Sequence, residues 1–404
     1  MVERRIPQWA EVRPLLALRA PFTGPSAVDR AVSIADLRSI AKRRTPRAVF
    51  DYVDGAAGQE LSLARSRDAF ARVEFRPHVL NDVAVIDTSW DMLGRRSALP
   101  FAFSPTGFTR MMNVEGETAV ARVAQEFDIP YALSTLGTTS PEDLARAVPD
   151  ARRWFQLYLL REHQSRRDLL ARVADSGYET IILTVDTVVA GSRLRDVRNG
   201  LTIPPQLTLK TLAGMAVHPK WWINALSTEP LEFASLKSTD GTVADLINNV
   251  FDPSITLDDV RWLRDSWNGK LLIKGVQNVD DAVMLADAGV DGVILSNHGG
   301  RQLDRSAVPL ELLAPARERC GADFPIFIDG GVMSGADVVA AIGLGASGVL
   351  VGRAYLYGIM ADGERGVRRA AQILRAEVEQ TMRLMGVTSL DQITPDLVSL
   401  RPAR

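Results

Sequence analysis

Residues 292–304 read Gly-Val-Ile-Leu-Ser-Asn-His-Gly-Gly-Arg-Gln-Leu-Asp. The first four are apolar and partly β-branched, which predicts a buried strand that ends where the polar residues begin. His298 is therefore expected just beyond the carboxyl end of a strand. Gly299 and Gly300 allow the backbone to pass close to a flat ligand, and they place Arg301 one short turn after the imidazole.

The combination of a histidine and an arginine in this stretch indicates a particular chemistry. An imidazole titrates near neutral pH and can accept a proton, whereas a guanidinium stays charged and binds a carboxylate through two parallel hydrogen bonds. We therefore expect a small carboxylic acid with an abstractable proton as the substrate of His298 and Arg301. The alternative, from these residues alone, is a structural loop in which His298 caps a neighbouring element.

The overall composition is typical of a globular protein. The 404 residues are 46% hydrophobic and 24% charged, and the formal net charge of -2 does not indicate a nucleic-acid partner. A single cysteine, Cys320, excludes an internal disulfide framework and a multi-cysteine metal site, and no metal is expected. The sequence shows no secretory signal and no apolar run near the roughly 20 residues of a spanning helix. We expect a cytoplasmic location, with peripheral contact to the cytoplasmic membrane face left open.

Short apolar strands alternate with helix-like stretches along most of the chain. The eight predicted strands are 99–104, 131–134, 154–158, 180–185, 271–274, 290–295, 325–328 and 348–351. Predicted helices include 115–126, 142–147, 166–174, 280–288 and 334–344. This alternation predicts parallel strands with helices outside, and eight units predict closure into a (β/α)8 TIM barrel. An open doubly wound sheet is the alternative, but no glycine fingerprint follows its first strand.

Three segments lie outside the repeating units. Residues 1–32 are predicted to form an N-terminal arm, and from Ser33, a potential helix cap, an N-terminal helical extension begins. The barrel is expected over 33–395, with 396–404 as a C-terminal tail. Residues 187–270, after the fourth strand, are far more than one helix requires, and we expect this insertion to fold over the barrel mouth as a lid.

The lid insertion contains the adjacent residues Trp221 and Trp222. Three interpretations of the pair are open, namely core packing, a wall of the substrate pocket and a contact with the membrane interface.

The residues at the predicted strand ends are nearly all polar. In a TIM barrel the active site is built from these ends, so they can be interpreted together. Gly331 and Arg353 follow the last two strands, where many barrels bind a phosphate with backbone N-H groups and a cation. Lys274 ends an apolar strand, where a buried ammonium needs an anionic partner such as an electron-rich cofactor ring.

Taken together, these segments resemble the FMN-dependent α-hydroxy acid dehydrogenase and oxidase family over about residues 33–395, and in detail its actinobacterial L-lactate dehydrogenases. The Ser-Asn-His-Gly-Gly-Arg-Gln segment at 296–302 is highly specific for the family. Other matching segments are Phe50-Asp51-Tyr52, Ser104-Pro105-Thr106, Phe155-Gln156-Leu157-Tyr158, Leu183-Thr184-Val185-Asp186-Thr187, Lys274-Gly275, Asp329-Gly330-Gly331 and Gly352-Arg353.

The resemblance implies FMN as the cofactor and a role for each matching residue. His298 would be the catalytic base, and Asp186 would stabilise the imidazolium that forms. The implied substrate-binding residues are Arg193 and Arg301 on the carboxylate, with Tyr52 and Tyr158, also counted as catalytic, on the hydroxyl or carboxylate. Among the implied cofactor-binding residues, Lys274 would lie beside the flavin N1 and C2 oxygen, and the flavin face would be lined by Pro105, Thr106 and Gly107. The ring and ribityl groups would be held by Ser134, Gln156, Thr184 and Ser296. The ribityl phosphate would be surrounded by Asp329, Gly331, Gly352 and Arg353.

Four positions distinguish this chain within the family's pattern. Met333 stands where many members have an arginine, which removes one implied phosphate contact. Leu136 stands where many oxidases have tryptophan, which reshapes the substrate pocket. Gly107 is alanine in many efficient oxidases, so glycine favours a quinone or other acceptor over oxygen. A peptide-modifying branch lacks Arg301, and its presence here argues against that branch.

The sequence thus predicts oxidation of an L-2-hydroxy acid to a 2-oxo acid, with L-lactate as the first substrate and mandelate or another aromatic hydroxy acid as the second. Departure of the Cα hydrogen as a proton or as a hydride is compatible with His298, which accepts the hydroxyl proton in the second case. An oxygen-using oxidase, an FMN-dependent isomerase and a non-catalytic binding protein are the alternatives. The two carboxylate-binding arginines argue against an isomerase. We also expect a homo-oligomer, by analogy with the family.

Overall fold

The structure is a computed structural model that describes residues 26–200, 218–228, 231, 233–236 and 252–403. The predicted arm at 1–32 lies largely outside these residues, as do parts of the predicted lid. The strands are β1 (Val73–Phe75), β2 (Trp90–Asp91), β3 (Arg96–Ser97), β4 (Phe101–Phe103), β5 (Tyr131–Ser134), β6 (Arg153–Leu157), β7 (Thr180–Thr184), β8 (Lys270–Val276), β9 (Gly292–Leu295), β10 (Ile326–Asp329), β11 (Gly348–Val351) and β12 (Val398–Leu400).

Strands β4 to β11 form a closed barrel in chain order, with β11 pairing back to β4. All eight neighbouring pairs are parallel. Each barrel strand overlaps one of the predicted strands, and the predicted (β/α)8 TIM barrel is confirmed. Because the strands are parallel, all their carboxyl ends lie at one end of the barrel.

Helices follow the barrel strands and cover the outside. The described helices are α1 (Ile34–Arg44), α2 (Arg47–Asp54), α3 (Leu61–Ala71), α4 (Thr109–Met112), α5 (Gly116–Glu126), α6 (Pro141–Ala147), α7 (His163–Asp175), α8 (Leu194–Asn199), α9 (Pro219–Leu226), α10 (Leu257–Ser266), α11 (Val279–Asp287), α12 (Pro309–Cys320), α13 (Gly335–Gly343) and α14 (Arg353–Met385). Ser33 caps α1 as predicted, because its side chain accepts a hydrogen bond from the Asp36 N-H.

The barrel interior is closed at its amino end by the β2–β3 hairpin. Met92, between these two strands, is fully buried. It packs with the inward-facing layer formed by Ala102, Ala132, Trp154, Ile182, Leu272, Ile294, Phe327 and Leu350. This apolar layer leaves the polar residues to the carboxyl end. The hairpin is absent from the sequence-based prediction, since its strands are two residues long.

The N-terminal extension and the chain's last strand both pack on the barrel. Helix α1 packs against α14, the last helix. Strand β12 pairs with β1 in antiparallel fashion, with Val73 opposite Leu400. Residues 398–400, part of the segment 396–404 that the sequence assigned to a tail, therefore pair with β1.

The described parts of the insertion contact the loops at the barrel mouth. The Trp221 indole N-H donates to the Met111 carbonyl at 2.9 Å. The Phe233 ring meets Phe108 edge to face, with centroids 4.5 Å apart. Trp222 is half-buried. Helix α10 belongs to the predicted insertion in sequence, but it is the outer helix that precedes β8. In the described part of the chain, no helix has the length and apolar character needed to cross a membrane.

Candidate active site

A cleft opens at the carboxyl end of the barrel and is lined by most of the residues selected from the sequence. They are Tyr52, Pro105, Thr106, Gly107, Ser134, Gln156, Tyr158, Thr184, Arg193, Lys274, His298, Arg301, Asp329, Gly331, Gly352 and Arg353. Asp186 and Ser296 lie behind the wall of the cleft.

An imidazole and a carboxylate form the centre of the site. The His298 Nδ1 lies 3.0 Å from Asp186 Oδ1 and 3.2 Å from Oδ2. Burial favours the neutral carboxyl, but His298 and Lys274 lower the pKa of Asp186 below its ordinary value. A charged Asp186 accepts a hydrogen bond from Nδ1-H, which leaves Nε2 as the basic nitrogen of the ring.

The backbone around His298 is held in an unusual conformation. His298 itself has φ 56°, in the left-handed region, and its N-H donates to Ser296 Oγ at 3.0 Å. Gly299 and Gly300 also have positive φ. Both glycines also permit close packing within the protein. An added Cβ at Gly299 would lie 2.6 Å from Arg353 Nη1, and one at Gly300 would lie 2.8 Å from the Leu63 N, so their close neighbours belong to the protein.

Gly275 permits the close approach of Asp186 to strand β8. It has φ 99° and follows Lys274 at an irregularity in the pairing of β8 with β9. A Cβ at this position would lie 2.6 Å from the Asp186 Cβ. Glycine is therefore required here both for its backbone conformation and for space.

Lys274 is buried beneath the cleft and has protein partners. Its Nζ lies 2.8 Å from Asp329 Oδ2 and 3.0 Å from Ser296 Oγ. Burial opposes the ammonium charge, but Asp329 and Asp186 raise the pKa of Lys274 above its ordinary value. The sequence predicted a cofactor ring as the anionic partner of Lys274. Within the chain, Lys274 is already paired with the carboxylate of Asp329. The other oxygen, Asp329 Oδ1, is buried and has no hydrogen-bond partner among the described residues.

A row of hydrogen bonds crosses the ends of three neighbouring strands. Ser134 Oγ donates to Gln156 Oε1 at 2.9 Å, and Gln156 Nε2 donates to Thr184 Oγ1 at 3.0 Å. All three side chains are buried but line the cleft. The row fixes the Gln156 amide and presents polar atoms to a ligand.

Two guanidinium groups of the cleft lie near one tyrosine ring. The Cζ atoms of Arg301 and Arg193 lie 4.7 Å and 5.8 Å from the Tyr52 ring centroid. Burial and then the charge of Arg193 lower the pKa of Arg301 to about 9, which leaves it charged at neutral pH. Arg193 Nε is buried without a hydrogen-bond partner among the described residues. Two like charges in a buried place favour an anionic ligand.

Tyr158 lies near Asp186, Arg193 and Tyr52. Burial and the charge of Asp186 raise the pKa of Tyr158 above its ordinary value. It therefore stays a neutral phenol near pH 7 and can donate or accept a hydrogen bond.

The far end of the cleft contains the glycines and the arginine expected to bind phosphate. Gly331 and Gly352 line it, and α14 begins at Arg353, so the first N-H groups of a long helix face this end. Arg353 donates to the carbonyls of Val53, Gly299 and Gly55 at 2.8–2.9 Å. Three of its five N-H groups are thus used within the chain.

Residues 105–107 form one wall of the cleft. Thr106 Oγ1 lies 2.6 Å from the Tyr355 hydroxyl, which donates to the Ser104 carbonyl at 2.8 Å. A Cβ at Gly107 would lie 3.0 Å from the Leu136 Cβ. This wall is therefore rigid and closely packed at Gly107.

Sequence reasoning missed two polar residues beside the arginines. Asp196 is half-buried near Arg193 and Arg301. Burial raises the pKa of its carboxyl, and the positive charges of the two arginines only partly oppose this shift. Gln302 accepts from the Gly191 N-H at 3.1 Å and donates to the Val189 carbonyl at 2.9 Å. Gln302 lies in the 296–302 segment, and its polar side chain beside Arg301 was the available signal.

Comparison with known proteins places the chain in a characterised group. The model of the FMN-dependent dehydrogenase family matches residues 41–400. A putative L-lactate dehydrogenase of Mycobacterium tuberculosis is 53% identical over 98% of this chain and 96% of its own length. An L-lactate dehydrogenase of Caulobacter vibrioides is 39% identical over 92% of this chain and 98% of its own. The crystal structure of the monotopic membrane protein (S)-mandelate dehydrogenase has a TM-score of 0.89, 36% identity and coverage of 92% and 100%.

Proposed function

The chain belongs to the FMN-dependent dehydrogenase family, and on this premise we propose that its cleft oxidises an L-2-hydroxy acid, L-lactate first, to the 2-oxo acid. The observation that carries the proposal is that Arg193 and Arg301 line the same cleft as His298, whose imidazole pairs with Asp186. A substrate with a carboxylate on one carbon and a hydroxyl on the next matches these two groups.

The residues of the cleft fit FMN. Asp329 Oδ1, buried and without a partner among the described residues, can accept a hydrogen bond from a ribityl hydroxyl. The row of Ser134, Gln156 and Thr184 would hold ring edges, with Lys274 beneath them. The amino end of α14 and the remaining N-H groups of Arg353 would hold the phosphate. Bound FMN supplies an acceptor for the two electrons that leave the substrate.

Each residue then has a defined task in the reaction. His298 Nε2 takes a proton from the substrate, and the charged Asp186 stabilises the imidazolium through Nδ1-H. Arg193 and Arg301 bind the carboxylate and fix which face of the substrate carbon is presented. Tyr158, a neutral phenol, and Tyr52 hydrogen-bond the hydroxyl or carboxylate.

An aromatic 2-hydroxy acid is the second candidate substrate. The cleft is bounded by the flexible or small side chains of Leu136, Met112 and Ala190, and one similar solved structure is a mandelate dehydrogenase. L-lactate remains first because the two lactate dehydrogenases compared have the higher identities.

The test is the visible spectrum of the purified holoenzyme, recorded without oxygen before and after L-lactate and then mandelate. Bleaching by L-lactate supports the proposal, and bleaching by mandelate alone moves the substrate to the aromatic class. A flavin that neither acid bleaches overturns the proposal. Slow return of colour in air indicates a dehydrogenase, and fast return an oxidase.

We further propose a quinone-type acceptor, reached by peripheral contact with the cytoplasmic membrane face, in a homo-oligomer. The mandelate dehydrogenase structure is described as monotopic. Val188, Val189 and Val197, in and after the loop that carries Arg193, are 50%, 67% and 75% exposed. Flotation with anionic vesicles tests the contact, light scattering tests the oligomer, and absence of both in detergent-free buffer contradicts these proposals.

We propose that the insertion at 187–270 acts as a lid. The contacts of Trp221 with Met111 and of Phe233 with Phe108 support this, because both partners follow β4 at the mouth. Substitution of Phe233 by alanine is expected to raise KM for the hydroxy acid, measured with a soluble dye acceptor. An unchanged KM would contradict the lid.

A further inference from the structure

Arg195 stands at the centre of a charged cluster behind the arginine side of the cleft. Its Nη1 donates to Asp54 Oδ2 at 3.0 Å, and its Nη2 donates to Glu60 Oε2. Nη1 also lies 3.6 Å from Asp51 Oδ1. Asp54 is only 6% exposed and Arg195 34%, so the pairs are shielded from solvent more than ordinary surface pairs are.

The cluster joins two segments that are distant in the sequence. Arg195 belongs to α8, directly after the loop that carries Arg193, whereas Asp54 ends α2, which carries Tyr52. Asn199, at the end of α8, donates to Asp51 Oδ2 on α2 at 2.8 Å. The two helices are thus held together by side chains along the whole of α8.

The backbone of the two segments is also shaped for this contact. A Cβ at Gly55 would lie 3.2 Å from Arg195 Cδ and 3.3 Å from Glu60 Oε1, so glycine makes room for the arginine stem. The Gly58 N-H donates to the Ser192 carbonyl at 2.9 Å, next to Arg193. Contacts of Ser192 and of Arg195, on either side of Arg193 in the sequence, therefore fix Arg193 relative to the N-terminal extension.

Asp54 is itself fixed in place. Its carboxylate accepts from Arg38 Nε at 2.6 Å and from the Tyr357 hydroxyl at 2.9 Å. Arg38 and Tyr357 lie on α1 and α14, which pack against each other. Arg195 consequently connects α8, through Asp54, to the packed helices α1 and α14.

We propose that Arg195 is a positioning residue for substrate binding, which uses Asp54 and Glu60 to fix Arg193 and Tyr52 relative to each other. This inference rests on the proposed function, in which those two side chains contact the substrate. Arg195 does not line the cleft, so it acts through Arg193 and Tyr52.

The test compares the holoenzyme with Arg195→Met, Arg195→Lys, Glu60→Gln and Arg198→Met. Arg198 is exposed on the same short helix and serves as the matched control. Oxalate, which does not react, measures binding through the flavin spectrum, and L-lactate with a dye acceptor measures KM and kcat. For Arg195→Met we expect the Kd of oxalate and the KM to rise about 10-fold to 100-fold, the scale of effects from misplaced contacts. We expect kcat to change less than threefold.

Arg195→Lys should recover most of the oxalate affinity, Glu60→Gln should lose part of it, and Arg198→Met should match the wild type. An unchanged oxalate Kd in Arg195→Met overturns the inference, as does a loss confined to kcat or to FMN content. If Arg195→Met does not fold, wild-type Kd values in both Arg195→Lys and Glu60→Gln overturn it. Failure of the proposed function would instead show in the wild type, as an unbleached flavin that still binds oxalate.

Discussion

The two sides of the cleft differ in how their charges are balanced. On the imidazole side, which we define as His298, Asp186, Lys274 and Asp329, the imidazole and the ammonium each have a carboxylate within 3.0 Å. On the guanidinium side, Arg193 and Arg301 flank one tyrosine ring, and burial and the charge of Arg193 lower the pKa of Arg301. The carboxyl near these two arginines, Asp196, has a pKa raised by burial.

The difference separates chemistry from recognition. The hydrogen bond and the ion pair of the imidazole side are formed before any ligand binds. The base therefore needs no reorientation during the reaction. The guanidinium side gains most when an anion enters, because a carboxylate relieves the repulsion and satisfies Arg193 Nε. Variants on the first side should alter rates and stability, and variants on the second should alter affinity.

The largest effect is expected from His298→Gln. Loss of the base should lower the rate of flavin reduction by L-lactate about 10³-fold to 10⁴-fold, which is at the upper end for a general base. FMN content and the Kd of oxalate should remain within threefold of the wild type, because the guanidinium side is intact. Stopped-flow reduction without oxygen makes the measurement, and fast reduction in this variant would remove His298 from its role.

Lys274→Met should give the next largest effect, on stability. Removal of the ammonium leaves the buried Asp329 carboxylate without its ion-pair partner, and breaking a buried ion pair in this way costs about 3–5 kcal/mol. Urea unfolding of the apoprotein measures the loss. Lys270→Met is the matched control, since Lys270 is 49% exposed in the same strand and its pair with Asp291 is a surface pair, worth about 0–1 kcal/mol. Equal losses of unfolding free energy in Lys274→Met and Lys270→Met would contradict the expected difference between the buried and the surface ion pair.

The sequence was sufficient for the barrel and for most of the cleft. Short apolar runs bounded by polar residues mark buried parallel strands, and the fold brings every strand end to one rim. Ser134, Gln156, Thr184 and Lys274 could therefore be grouped without coordinates. The family resemblance added Tyr52 and Arg193, which no strand end predicts.

The partners behind the cleft could not be predicted. The pairing of Lys274 with Asp329 depends on barrel stagger, and the links of Arg195 to Asp54 and Glu60 join segments whose proximity no periodicity encodes. The φ of His298 and the neighbours of Gly299 depend on how Arg353 enters from another strand end. Such features follow from tertiary packing and not from local pattern.

Arg193→Met tests the guanidinium side through the charge of the ligand. In the wild type we expect L-lactate to be preferred over L-lactamide by about 100-fold, since hydrogen bonds between charged groups are the strong ones. The variant should lose most of that preference by raising KM for lactate, while the rate with lactamide changes little. Arg198→Met is the control. A preference that survives in Arg193→Met would place carboxylate recognition elsewhere.

The smallest effect concerns Asp54, which supports the guanidinium side from behind. Burial would raise the pKa of Asp54, but Arg38, Tyr357 and Arg195 lower it below its ordinary value. A carboxyl with a lowered folded pKa adds stability above the unfolded value of about 4, and this stability is lost as pH falls through the folded pKa. Asp54→Asn should therefore be less stable than the wild type by about 1 kcal/mol at pH 7. The difference in unfolding free energy between Asp54→Asn and the wild type should become smaller toward pH 3. For Asp68→Asn, at an exposed carboxylate, the difference from the wild type should not change with pH. Urea unfolding at several pH values decides this, because a gap that stays constant would mean that Asp54 stabilises the fold without its charge.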